Sequence, residues 1–116
     1  MPDALIQLRD MLRVFAADRE WDPFHSPRNL ATALAVEAAE LLEPFQWLTE
    51  EQSRDPPAAT RAAAEEEMAD VLLYLVRLAD KLGVDLEQAA RAKIARNALK
   101  YPVDKAKGSN RKYTEL

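Results

Sequence analysis

The sequence predicts an all-α fold, and three features carry that expectation. The 116 residues include only two glycines, Gly83 and Gly108, too few to turn the strands of a sheet. Alanine, leucine, glutamate and arginine dominate, and all four are strong helix formers. Apolar residues recur at three- and four-residue steps along several long segments.

Four long helices follow from that spacing. Leu5, Leu8, Leu12 and Phe15 mark a first helix from about Leu5 to Ala17. A proline-containing stretch, Trp21-Asp22-Pro23-Phe24-His25, interrupts it. Ser26 followed by Pro27 then reads as a helix start: a hydroxyl cap, then a proline where its missing N–H costs nothing. The second helix extends to about Phe45, weakened or ended by Pro44 in its last turn. A polar loop runs from Leu48 to Pro57, in which Thr49 is placed to cap a short extra turn. The third helix covers about Ala58 to Leu82 and stops at Gly83, the favoured left-handed residue after a helix. Asp85 caps a fourth helix that ends near Lys100, before Tyr101-Pro102. The connection at Gly83-Val84 is short, as between antiparallel neighbours. The expected organisation is one helical domain, residues 1–102, and a basic C-terminal tail, residues 103–116, carrying Lys105, Lys107, Arg111 and Lys112.

Composition removes several classes of function. No cysteine is present, which excludes disulfides, thiolate metal sites and cysteine nucleophiles. Neither a signal peptide nor an apolar run of membrane length is evident, so the reading is a cytoplasmic protein with no membrane partner. A net charge of −4 argues against a nucleic-acid partner, which calls for a basic face. An acidic protein that handles phosphates needs a metal cation to do so.

The second and third helices each carry acids in the wrong place. The apolar stripe Leu30, Ala33, Leu34 and Leu41 is interrupted by Glu37, with Glu40 three residues on. Glu67 falls within the stripe of Val71, Tyr74, Leu75 and Leu78, with Asp70 three residues on. Lone buried carboxylates cost several kcal/mol each without a counter-charge. No lysine or arginine lies in phase with them; Arg77 is two turns from Asp70. A hard divalent cation, Mg²⁺ or Mn²⁺, is the economical partner for an all-oxygen set. Periodicity alone leaves two readings open, a metal site or ordinary surface and salt-bridge acids, since Glu65 and Glu66 alongside look like a solvated run.

The motif Glu37-x-x-Glu40, a spacer, then Glu67-x-x-Asp70 resembles the magnesium-binding signature of MazG-like pyrophosphohydrolases. Trp21-Asp22-x-Phe24-His25-x-Pro27-Arg28-Asn29-Leu30, Phe45-Gln46-Trp47 and Asp70-Val71-Leu72-x-Tyr74-Leu75 are similar to the dCTP pyrophosphatase branch of that family. So are Lys93-x-x-x-Asn97-x-x-Lys100-Tyr101-Pro102 and Lys112-Tyr113-Thr114-Glu115, so the resemblance covers almost the whole chain. It implies a four-helix bundle that assembles into a homo-oligomer, a dimer or tetramer. It also implies that Glu37, Glu40, Glu67 and Asp70 hold Mg²⁺ and carry the catalysis. The implied reaction is attack of water at the α-phosphorus of a nucleoside triphosphate, giving a monophosphate and pyrophosphate, as in sanitation of the nucleotide pool. Some members open the signature with two adjacent glutamates; here Val36 takes the first place, leaving open which acid is the base and how many metals bind.

The substrate-binding candidates are Trp21, His25, Trp47, Tyr74, Lys93, Asn97 and Lys100. The aromatic rings can stack on a base, or simply pack in a core. His25 can hydrogen-bond the nucleotide or serve the loop. Lys93, Asn97 and Lys100, at i, i+4 and i+7, share one helix face that meets phosphate and sugar or is solvated. The tail closes over phosphates or stays disordered. Two alternatives stand beside dCTP hydrolysis: a related dUTPase or phosphoribosyl-ATP pyrophosphatase, and a helical oligomerisation module without catalysis. A mere interface would gain by replacing the four acids with leucine, which speaks against the module.

Overall fold

The computed structural model describes residues 3–116, and every regular element among them is helical. The chain divides into two compact units, one up to Val84 and one from Asp85 to Leu116.

The first unit holds α1 (Ala4–Asp18), α2 (Pro27–Leu42), the short α3 (Glu50–Arg54) and α4 (Ala58–Leu82). α4 packs chiefly on α2 and secondarily on α1. His25, just before α2, meets Arg77 near the end of α4, while Pro44, just past α2, shares a groove with Ala59 at the start of α4. The two helices are therefore antiparallel. Leu30 on α2, 1% exposed, together with Ala16, Ala64, Val76 and Ala79, forms the buried core.

Local chemistry sets each boundary. Asp3 caps α1 by accepting from the Leu5 N–H at 3.0 Å, and Ser26 caps α2 by accepting from the Asn29 N–H at 3.1 Å. α2 stops at Leu42 rather than near Phe45. Pro44 has no N–H to give and its ring would meet the Glu40 carbonyl, so the chain tightens and that carbonyl accepts from Glu43 instead. Thr49 and Gln52 close a capping box at α3, with bonds of 3.1 and 3.0 Å.

Two helices end alike. After α4, Gly83 sits at φ 66° and the Val84 N–H reaches back to the Ala79 carbonyl at 2.8 Å. After α1, Glu20 takes φ 55°, and the Trp21 N–H reaches the Ala16 carbonyl at 2.9 Å. The second turn has no glycine, at a cost of roughly 1–2 kcal/mol. It swings Trp21 back against Phe15, the apolar contact that accompanies this motif, with ring centroids 5.7 Å apart and edge to face.

The second unit holds α5 (Leu86–Lys100) and α6 (Val103–Ala106), followed by a single 3₁₀ turn at Tyr113–Glu115. Asp85 caps α5 through the Gln88 N–H at 3.0 Å. The tail is thus more than a polar extension. Pro102 starts α6, Tyr113 meets Tyr101 edge to face at 6.1 Å, and the Lys100 ammonium lies 4.8 Å from the Tyr113 ring centroid.

Candidate active site

The α2–α4 contact brings acids together from both helices. One carboxylate oxygen from each of Glu37, Glu67 and Asp70 lies within 4.8 Å of the others. Glu37 and Glu67 are half-buried and Asp70 is exposed, so the cluster opens to one side. Glu40 stands beside Glu37, just outside this group of three. The Glu37 Oε2 and Glu67 Oε2 atoms are sealed from solvent and have no hydrogen-bond partner among the described residues. Among the described residues, no lysine or arginine pairs with any of the four acids.

Carboxylates crowded in this way resist full ionisation. Glu67, near enough to share a proton, raises the Glu37 carboxyl above its ordinary range, and burial adds to the effect. Glu37 in turn raises Glu40. Such a cluster calls for a compact cation that several oxygens can bind at once. The donor set is all oxygen, two of its buried atoms are unsatisfied, and no side chain neutralises it, so it fits a hard divalent ion.

A cleft of about 230 Å³ adjoins the acids and shares Asp70 with them. Trp21, His25 and Tyr74, three of the expected nucleotide-binding residues, line it together with Phe15, Leu12 and Arg77. Trp21 meets His25 edge to face at 6.2 Å, so an aromatic wall stands opposite α4. The remaining candidates lie elsewhere. Trp47, in the turns after α2, is 86% exposed and outside the cleft. Lys93, Asn97 and Lys100 belong to the second unit and are exposed along one face of α5. On its other side the acid cluster borders a shallow groove lined by Glu40, Glu43, Thr60 and Glu67.

Sequence reasoning passed over Arg77 except as a distance from Asp70. It is 6% exposed, the one buried charged residue among those described. Its guanidinium bonds His25 Nδ1 at 3.1 Å and Asp22 Oδ1 at 2.9 Å, and lies 3.5 Å from Asp80. Arg13 grips Asp80 with two bonds, at 2.8 and 2.5 Å, and Lys81 also bonds Asp22. These contacts hold both aspartates below the usual carboxylate range: Arg13 is the main cause for Asp80 and Lys81 for Asp22. A signal was present in the sequence. Arg77 stands three residues after Tyr74 on the buried stripe of α4, where a charge requires partners.

Fold and site together define a helical enzyme built around a carboxylate cluster beside an aromatic cleft. The MazG-like family model matches residues 32–116, and the chain belongs to that family. Curated relatives extend the likeness to the N-terminal segment. dCTP pyrophosphatase 1 of Mus musculus is 47% identical over 114 residues, spanning 97% of this chain and 67% of that protein. dCTP pyrophosphatase 1 of Homo sapiens is 47% identical over 116 residues, again 97% of this chain and 67% of that protein. The crystal structure of a pyrophosphatase from Archaeoglobus fulgidus superposes with a TM-score of 0.82 at 37% identity, over 88% of this chain and 95% of that one. The chain is a nucleoside triphosphate pyrophosphohydrolase of the MazG-like family.

Proposed function

We propose that this chain hydrolyses dCTP, or a modified dCTP, to the nucleoside monophosphate and pyrophosphate, with Mg²⁺ as its cofactor and Mn²⁺ as a substitute. The observation that carries the proposal is the convergence of Glu37, Glu67 and Asp70, with two buried oxygens left unpartnered, at the edge of an aromatic cleft. Glu37, Glu40, Glu67 and Asp70 are the residues that would hold the ion. When bound, a divalent ion supplies charge neutralisation for a triphosphate and polarises its phosphoryl oxygens.

The chain's own residues divide the remaining work. The cleft's volume of about 230 Å³ is small for a whole nucleotide, since drug-sized sites begin near 300 Å³. It suits a single flat ring, with the triphosphate outside it, toward Asp70. Trp21 and Tyr74 would flank the base and His25 would hydrogen-bond it. Trp47, exposed in the chain alone, would cover the base from a second side. Lys93, Asn97 and Lys100 would serve phosphate and sugar, and their shared exposed face supports that assignment. One of the four carboxylates, directly or through a water that it holds, would accept the proton of the attacking water. The dCTP pyrophosphatase relatives support a cytosine substrate over uracil. The absence of cysteine is in keeping with a cytoplasmic setting.

Assembly belongs to the same proposal. Val36 on α2 and Met68 and Leu72 on α4 are exposed in the single chain, as a helix with apolar residues on several sides requires of an obligate oligomer. A dimer, or a tetramer built from two dimers, would cover them. Light scattering on the eluting species tests this, and an active species of 13.1 kDa would exclude it. For the reaction, a panel of deoxy- and ribonucleoside triphosphates is incubated with Mg²⁺ and the first products are separated. Pyrophosphate and dCMP are expected, with dCTP among the best substrates. A nucleoside diphosphate as first product would refute the reading.

A further inference from the structure

Arg77 is more costly than a structural role near the surface would require. Its side chain is nearly buried, and it is held by a five-member chain of charges: Arg13, Asp80, Arg77, Asp22 and Lys81. This arrangement points its Nε–H at His25 Nδ1, 3.1 Å away. An arginine Nε has a proton to give and no lone pair to offer. The Nδ1 atom must therefore carry the lone pair. That excludes both the imidazolium and the Nδ1–H tautomer while this bond exists, and leaves the proton of the neutral ring on Nε2.

His25 Nε2 has no partner among the described residues and is not sealed from solvent, and the residue lines the cleft with Trp21 and Tyr74. We infer that Arg77 is a positioning residue. It locks His25 as the neutral Nε2–H tautomer, so that the imidazole is a fixed hydrogen-bond donor for the ring that enters the aromatic cleft. The cleft then selects a base whose edge offers an acceptor at that point, a carbonyl oxygen or an unprotonated ring nitrogen, and disfavours one that presents an N–H there. Burial, and then the charges of Arg77 and Lys81, oppose protonation of His25 and outweigh Asp22, which agrees with a ring kept neutral. The selection step rests on the nucleotide reading above; the tautomer does not.

His25 is the single histidine in the chain, so its ring can be observed without assignment by mutation. The full chain labelled with ¹⁵N-histidine is studied by long-range ¹H–¹⁵N correlation at neutral pH, without nucleotide. One tautomer, protonated at Nε2, is expected. A proton on Nδ1, or fast averaging like that of free imidazole, would overturn the inference. Arg77→Met removes the donor while Lys81 still bonds Asp22 and Arg13 still bonds Asp80. The variant should lose the single tautomer and show a KM for dCTP raised about tenfold with kcat little changed, because a bond to the base exists in ground and transition states alike. Arg77→Lys keeps a charge and a donor but not the planar fork that bonds Asp22 and Nδ1 together, and should rescue neither readout in full; full rescue would show that the fixed guanidinium is not what positions His25. If the wild type hydrolyses no triphosphate, the nucleotide reading fails, and the spectrum alone decides the role of Arg77.

Discussion

Replacing Glu67 by glutamine tests the carboxylate cluster most directly. Glu67→Gln preserves shape, so the half-buried site between α2 and α4 is not opened. What it changes is one of three carboxylates whose oxygens converge within 4.8 Å, and what it removes is one of the four acidic groups available to balance a divalent ion. An amide oxygen is a poor substitute for a carboxylate at a hard cation, and loss of even an indirect supporting group typically weakens metal sites 10–100-fold. Loss of a direct ligand should therefore lower kcat/KM for dCTP by at least about a hundredfold and shift the Mg²⁺ half-saturation upward. The same substitution should act in the opposite direction on the metal-free chain. Glu67 Oε2 is sealed and unpartnered beside Glu37, and an amide at that position has N–H groups to offer its neighbour. The variant should melt higher than wild type in chelator and gain less from added Mg²⁺. Pyrophosphate release titrated with Mg²⁺, paired with thermal melts at each concentration, measures both effects. A variant with wild-type kcat and unchanged Mg²⁺ dependence would show that these acids are not a metal cage.

Three further substitutions test the acids and the aromatic rings. Glu37 has its carboxyl raised above the ordinary range, so its stabilising contribution is full below about pH 4.3 and is lost as pH rises through its raised value. In chelator, the melting temperature of Glu37→Gln minus that of wild type should therefore be near zero at pH 4 and grow positive toward pH 7; Asp22, Asp80 and His25 contribute equally to both chains, and a flat difference would contradict the crowding of acids. Trp47→Ala should raise KM for dCTP more than it lowers kcat and leave the melting temperature nearly unchanged, because Trp47 is 86% exposed. Trp21→Ala, losing contacts with Phe15 and His25, should lower both binding and stability, and equal behaviour of the two variants would argue against separate roles.

The sequence by itself determined the four long helices, most of their ends and the presence of misplaced acids. Each of these is a local matter. A 3.6-residue period, Ser26 before Pro27, Thr49 three residues before Gln52, and Gly83 after an apolar stripe all act within one or two turns of chain. Glu37 and Glu67 were visible as charges in an apolar phase without any knowledge of what faced them. The end of α1 was less legible, because Glu20 occupies a left-handed position that glycine usually advertises. The tertiary structure decided what the acids and aromatics do for one another. Only the antiparallel packing of α4 on α2 brings Asp70, Glu37 and Glu67 to one point, and only that same crossing sets Arg77 behind His25, 52 positions earlier in the chain. Such pairings depend on distances across helices: the four-acid motif implied the first by resemblance, and nothing in residue spacing encoded the second. Arg77 looked like an ordinary member of a charged, helical sequence until burial left it a donor with one ring nitrogen to hold.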